Sequence, residues 1–196
     1  MNIQQSPEEL NDLYGGRDYY WYLRHPAWIE HVIKPMADCI NNLGVEWCVD
    51  AGCGEALLGD FVEAYIGFDL SETALDRAAN RNKSLDTLNA LFCAPLIDPP
   101  SLYRISSGSG SCIVVFSGIL EVLIKQQRRL EFLEFYRGVY GCQYFLIQDL
   151  LRLDEIPIQR RYDLVDAWYV SIPPEAFDGK LEEVKLKRKV MLYQCQ

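Results

Sequence analysis

Short apolar runs alternate with amphipathic stretches along most of this chain, and their spacing predicts an element for each. Ile29, Val32, Ile33, Met36, Ile40 and Leu43 recur three and four positions apart, so Pro26 to Leu43 is predicted helical in spite of Pro35. Apolar runs follow that are too short for helices and lack the alternation of half-exposed strands: Val45 to Asp50, Ala64 to Asp69, Leu88 to Cys93, Cys112 to Phe116 and Gln143 to Gln148. Such runs suit a parallel sheet covered on both faces. Helices are expected between them, at Ala56 to Glu63, at Ser71 to Asn82 with Ser71 as N-cap, and at about Glu121 to Tyr140. Pro99-Pro100 and the run Ser106-Ser107-Gly108-Ser109-Gly110-Ser111 punctuate the way into the fourth strand. Farther on, Tyr162 to Ile172 and Glu183 to Cys195 are predicted β-rich, joined by the turn-prone Pro173-Pro174 and Asp178-Gly179. Leu150 to Arg161, broken by Pro157, is expected to form a truncated or irregular crossover. At the start, Ser6-Pro7-Glu8-Glu9 has the form of a capping box opening a short helix, which Gly15-Gly16 interrupts before the aromatic cluster Tyr19, Tyr20, Trp21 and Tyr22. Strand and helix thus take turns, the pattern of an α/β fold.

Composition narrows this picture rather than changing it. A chain of 196 residues, 49% hydrophobic, is the right size for one α/β domain. No apolar run approaches the length needed to cross a bilayer, and the polar start lacks the basic and apolar regions of a signal peptide, so a cytoplasmic protein without membrane contact is expected. Seven scattered cysteines, without paired metal-ligand spacing, read as reduced core thiols and not as a metal or disulfide framework. A net charge of −9 argues against a nucleic-acid partner. The one basic patch, Arg160-Arg161 with Lys185, Lys187, Arg188 and Lys189, reads as a solvated strand face, with the three lysines on one side and Arg188 on the other. Nothing in the sequence indicates an oligomeric state.

The chemistry concentrates in Trp47-Cys48-Val49-Asp50-Ala51-Gly52-Cys53-Gly54-Glu55-Ala56 and in Tyr65-Ile66-Gly67-Phe68-Asp69-Leu70-Ser71. An apolar strand ends in an acid and a glycine turn, and a second strand ends in another acid, as a βαβ unit needs to hold a nucleoside-like ligand. Gly52 and Gly54 allow a tight turn and close approach of a ligand to main-chain N–H groups. Dinucleotide oxidoreductases share this pattern, but a pyrophosphate usually wants a third glycine and no negative charge nearby. Here Ala56 and Glu55 stand in those places, which favours a cationic ligand.

Asp50-Ala51-Gly52-Cys53-Gly54 resembles the Asp-x-Gly-x-Gly signature of class I S-adenosylmethionine-dependent methyltransferases. Tyr65 to Leu75 is similar to that family's second strand and following helix, and Val114 to Glu121 more weakly to its fourth strand and substrate-side loop. The resemblance covers roughly 45–150 and implies a three-layer Rossmann-like fold: a mostly parallel seven-stranded sheet with a C-terminal antiparallel hairpin and an N-terminal helical cap. It divides the chain into a cap at 1–43, a cofactor-binding core at 44–150 and a β-rich part at 151–196. The implied cofactor is S-adenosyl-L-methionine. Asp50, Gly52 and Gly54 would flank its methionine and sulfonium part, Asp69 with Leu70 would hold the ribose, and Ser117 with Gly118 would lie beside the transferred methyl. Just after the third strand, where the family often carries an acid or amide for adenine, this chain has Cys93-Ala94-Pro95, with Asp98 the nearest acid.

Catalytic candidates are Ser117, Glu121, Asp149 and His25, each with a structural alternative: N-cap, first-turn acid, solvated acid or satisfied histidine. The cluster at Tyr19 to Trp21 is either packing or a lid over the ligand. Phe116-Ser117-Gly118-Ile119 matches neither the Asp/Asn-Pro-Pro-aromatic box of amino-methylating DNA enzymes nor the Pro-Cys of cytosine-C5 enzymes, and only Asp149 could serve a metal-assisted site. A small-molecule or protein side-chain acceptor at O, N or S therefore remains, with a small-molecule substrate the leading expectation. A methyltransferase-like binding or scaffold protein is the alternative, and protein or RNA methylation a lesser one.

Overall fold

The computed structural model describes residues 6, 8–9, 11–12, 24–81, 88–101, 110–120, 128–150, 156–159, 161–172, 174–177 and 187–195. Seven strands form one sheet: β1 (Trp47–Ala51), β2 (Ala64–Asp69), β3 (Leu88–Cys93), β4 (Cys112–Ser117), β5 (Tyr144–Leu150), β6 (Asp163–Ser171) and β7 (Lys187–Gln194). Their order is β3-β2-β1-β4-β5-β7-β6, parallel from β3 to β5, with β7 inserted antiparallel between β5 and β6. The expected parallel sheet with a closing antiparallel hairpin is what forms. The order reverses between β1 and β4, and the carboxyl ends of those strands open the crevice in which such sheets bind ligands.

Alternation along the strands sends side chains into two apolar layers. Cys48, Tyr65, Ile113, Val115, Leu146, Val190 and Leu192 enter one core, while Val49, Phe68, Val114, Phe116, Phe145, Ile147, Met191 and Tyr193 enter the other. Both faces are covered, which explains the unalternated apolar runs.

Helix α1 covers the first face. It runs from Pro26–Trp28 through a π-helical stretch at Ile29–Ile33 into Lys34–Asn42. Pro35 sits at the start of that last portion, so its missing N–H falls where the hydrogen-bond register has already shifted. Helix α2 (Glu72–Arg81) contributes Ala78 to this layer. On the other face α3 (Arg129–Tyr140) packs Phe132 and Tyr136 against Phe116, with ring centroids 5.4 and 5.0 Å away. Gly141 ends α3 at φ +60°, the left-handed conformation of a C-terminal cap. The short α4 (Ile156–Gln159) lies within the segment expected to cross over to β6, of which residues 151–155 and 160 are outside the described residues.

Two expectations change. Ala56 to Glu63 forms no α-helix but a 3-10 turn at Leu57–Asp60, because Ala56 is left-handed (φ +53°) and the chain must re-enter the sheet at Ala64. Nor are all the cysteines core thiols: Cys48, Cys112 and Cys142 are buried, but Cys93 is exposed. At the start, Ser6 N–H donates to Glu9 Oε2 (2.9 Å) and Glu9 N–H to Ser6 Oγ (3.2 Å), the reciprocal pair of a capping box. No helix among the described residues is long and apolar enough to cross a membrane.

Candidate active site

The turn after β1 is built by glycine conformations and tied to the end of β2. Gly52 (φ +75°) and Gly54 (φ +54°) both adopt the left-handed region that other residues resist. Gly52 N–H and Cys53 N–H donate to the Phe68 carbonyl at 2.8 and 3.0 Å. A Cβ on Gly52 would come within 2.4 Å of Ile119 Cδ1, so the position is confined by space as well as by φ.

Asp69 completes this knot. Its Oδ2 accepts Gly54 N–H at 2.9 Å and its Oδ1 accepts Ser71 N–H at 2.8 Å. A carboxylate has about four lone-pair sites, so capacity remains for a ligand. Burial raises the carboxyl above the usual range, against the N–H groups of Ser71, Gly54 and Leu70, which hold it down. From the N-terminal segment, Asn11 Oδ1 accepts Ser71 Oγ–H at 2.9 Å and Thr73 N–H at 3.2 Å, placing that segment beside the same loop.

Asp50 is buried one turn earlier. The Tyr65 hydroxyl donates to its Oδ2 at 2.7 Å, and its Oδ1 has no partner among the described residues. Burial pushes the carboxyl up to about 7, helped by the charge of Asp69 and opposed by the Tyr65 hydrogen bond. An unpaired acceptor of this kind is costly unless a donor arrives, and a cationic ligand group would supply one.

Glu55 corrects the sequence reading. It is not an isolated negative charge: Arg24 Nε lies 2.8 Å and Arg77 Nη1 3.2 Å from its carboxylate, and Arg81 Nη2 donates to its carbonyl at 2.6 Å. With the acid paired to arginines, it no longer argues against a pyrophosphate. The preference for a cationic ligand passes to Asp50.

Across the switch point, Ser117 Oγ donates to Gln148 Oε1 at 2.6 Å, and Gly118 (φ +72°) donates its N–H to the Gln148 carbonyl at 2.7 Å. Gln148 escaped the sequence reading, which had no motif to single out a glutamine within an apolar strand. Strand alternation puts Asp50, Ser117 and Gln148 on one face of the sheet. Asp149 is buried on the opposite face, with Ile147 and Phe145, and is not brought to Ser117. His25 caps α1, its Nδ1 accepting Ala27 N–H at 3.3 Å and its ring 4.6 Å from Phe177. Glu121, the aromatic cluster at 19–22 and Lys185 lie outside the described residues. At the end of β3, exposed Cys93 reaches the Leu70 carbonyl at 3.9 Å, and Asp98 is exposed. Among the described residues no three His, Cys, Asp or Glu side chains gather in a way that could hold a metal ion.

No known family and no curated protein matches the sequence. Solved structures do match the fold. The N-methyltransferase NodS from Bradyrhizobium japonicum WM9, in complex with S-adenosylhomocysteine, superposes with a TM-score of 0.69 at 11% identity, over 96% of this chain and 97% of its own. Magnesium protoporphyrin IX methyltransferase (ChlM) from Synechocystis PCC 6803, with bound S-adenosylmethionine, gives 0.63 at 12% identity, covering 99% and 100%. A putative RNA methyltransferase from Pyrococcus horikoshii gives 0.58 at 12% identity, covering 83% and 81%. By strand order and superposition, the chain has the fold of the class I, Rossmann-like S-adenosylmethionine-dependent methyltransferases.

Proposed function

We propose that this protein binds S-adenosylmethionine and transfers its methyl group to a small-molecule acceptor at oxygen, nitrogen or sulfur. The observation that carries the reading is the pair of buried carboxylates at the switch point: Asp69 pinned by Gly54 and Ser71 with lone pairs to spare, and Asp50 with one oxygen unpartnered among the described residues. They fit the two ends of an adenosyl sulfonium. Asp69 would accept hydrogen bonds from ribose hydroxyls, and Asp50 Oδ1 a hydrogen bond from the methionine ammonium. The open turn at Gly52 and Gly54 would let main chain approach between them.

When bound, the cofactor supplies a methyl carbon already activated by the sulfonium. Little is then asked of the protein beyond alignment and exclusion of water. Ser117 and Gly118, at the end of β4, are placed to flank the line of transfer. Asp149 faces the other core, which leaves proton removal to Ser117, to Glu121 or to solvent.

Titration calorimetry with S-adenosylhomocysteine tests the cofactor half: a folded sample that gives no heat of binding ends the proposal. Incubation with S-adenosylmethionine and an acceptor panel, read as methyl mass gained, tests the transfer half. Cofactor binding with no product across the panel would favour the second reading, a binding or scaffold protein, which the burial of Asp149 on the opposite face supports. Methylation of RNA or protein carries less weight. Two of the basic residues it would use are engaged elsewhere, with Arg161 2.8 Å from Glu134 and Arg188 over the Trp28 ring.

A further inference from the structure

Beyond Ser117, the same face of the sheet carries polar side chains that no cofactor role explains. Gln148 on β5, Val190 on β7 and Trp168 on β6 are cross-strand partners in one row. In the next row Arg188 on β7 pairs with Val170 on β6, its guanidinium 5.3 Å from the centre of the Trp28 ring. Gln148 is 2% exposed, and its Nε2 has no hydrogen-bond partner among the described residues; the same holds for buried Nε1 of Trp168. These atoms donate only, and the neighbouring guanidinium adds positive charge.

The two residues stand two strands apart on one face, about 10 Å between backbones, so their side chains can converge on one group between them, and orphaned donors in an apolar layer are costly unless an acceptor completes them. Trp28 and Phe177 belong to the apolar cluster on this face, so an occupant would have to displace apolar packing and be retained by the hydrogen bonds it satisfies. The row starts at the Ser117–Gln148 hydrogen bond, so it leads outward from the position assigned to the transferred methyl. We propose that Gln148 and Trp168 bind a carboxylate on the methyl acceptor, making the acceptor a small organic acid. The assignment rests on the methyltransferase reading above and adds the substrate's chemical class. It sets an oxygen-acceptor atom of Asp50 toward the cationic cofactor and N–H donors toward an anionic acceptor.

The test uses four probes that share a phenyl body, namely benzoate, phenyl phosphate, benzamide and benzylammonium, titrated into the full ¹⁵N-labelled chain with and without S-adenosylhomocysteine. The Trp168 indole N–H and the Gln148 side-chain amide are the reporters, assigned by loss of their signals in Trp168→Phe and Gln148→Glu. Benzoate is expected to shift both signals and benzylammonium neither, and each substitution should weaken benzoate by about fivefold or more, the loss of one hydrogen bond to a charged group. Gln148→Glu is the more telling variant, because it keeps an oxygen for Ser117 and turns the donor into a repelling carboxylate. Both variants should retain the rise in Tm with S-adenosylhomocysteine, which shows that the fold and cofactor site survive. Absence of benzoate shifts, equal shifts with benzylammonium, or tighter binding of phenyl phosphate than of benzoate would each overturn the carboxylate assignment. Failure of S-adenosylhomocysteine to bind would instead strike the cofactor reading, and the two failures are seen in separate titrations.

Discussion

At Asp50, stability and the proposed ligand role pull in opposite directions. Its carboxyl titrates near 7 in the fold against an ordinary 3.8. Between about pH 4 and 7 the folded chain therefore holds a proton that the unfolded chain has released, so this group's contribution to stability falls as pH rises through that window. Asp50→Asn is expected to remove that slope and, above pH 7, to stabilise the protein by about 1–3 kcal/mol, measured as a shift in urea midpoint. The same change should weaken S-adenosylmethionine by about tenfold, since an amide replaces the charged acceptor. In the unmodified chain that affinity should rise between about pH 6 and 8 as Asp50 ionises, and a flat calorimetric profile would contradict the ammonium role. Asp69→Ala belongs at the same scale. Loss of the ribose acceptor should cost about 1–3 kcal/mol of cofactor affinity, accompanied by a lower Tm because Gly54 and Ser71 lose their acceptor as well. An unchanged dissociation constant would rule out the ribose contact.

At the scale of elements, the caps and turns of this fold are local devices with local energies. Gly141 closes α3 at φ +60° with open space around it, so Gly141→Ala should destabilise by about 1 kcal/mol from conformation alone, readable in a chemical denaturation curve. Gly52 is different, because φ and packing both oppose a side chain there. The Phe116–Phe132–Tyr136 contact ties β4 to α3, and truncation in that aromatic group, as in Phe116→Ala, should cost about 3–5 kcal/mol. The sequence announced most of these elements. β2 and β3 occupy the residues expected of them, α2 starts one residue after the expected Ser71, and the Ser6–Glu9 box is read directly from residue types. The helix expected at Ala56 to Glu63 did not form, since periodicity says nothing about a left-handed alanine that redirects the chain. Nor does it show the π-helical stretch before Pro35, which is a matter of backbone register.

For the whole molecule, the sheet order decides where ligands go and which parts open first. β1, β4 and β5 are central and covered on both faces, whereas β6 and β3 lie at the edges. Amide hydrogen exchange should be slowest in the central strands and fastest in β6, whose Leu164, Val165 and Tyr169 are exposed. A cofactor bound across the β1–β4 crevice touches loops after β1, β2 and β4 at once. Saturation at one hundred times Kd should stabilise the chain by about 2.7 kcal/mol, and protection should increase across those loops together rather than at one of them.

The glycine turn, the two strand-ending acids and the alternation of apolar runs were legible in the chain itself, because backbone conformation, hydrogen-bond capacity and periodicity are properties of residue types in order. Candidate cofactor residues could therefore be proposed from the sequence alone. Only the tertiary structure decided that Glu55 is neutralised by Arg24 and Arg77, that Asp149 faces away from Ser117, and that Gln148 and Trp168 meet on one face. Each of these depends on strand register and on pairing between distant segments. A strand's alternation tells which residues share a side, but not which neighbour lies beside it or what charge that neighbour brings.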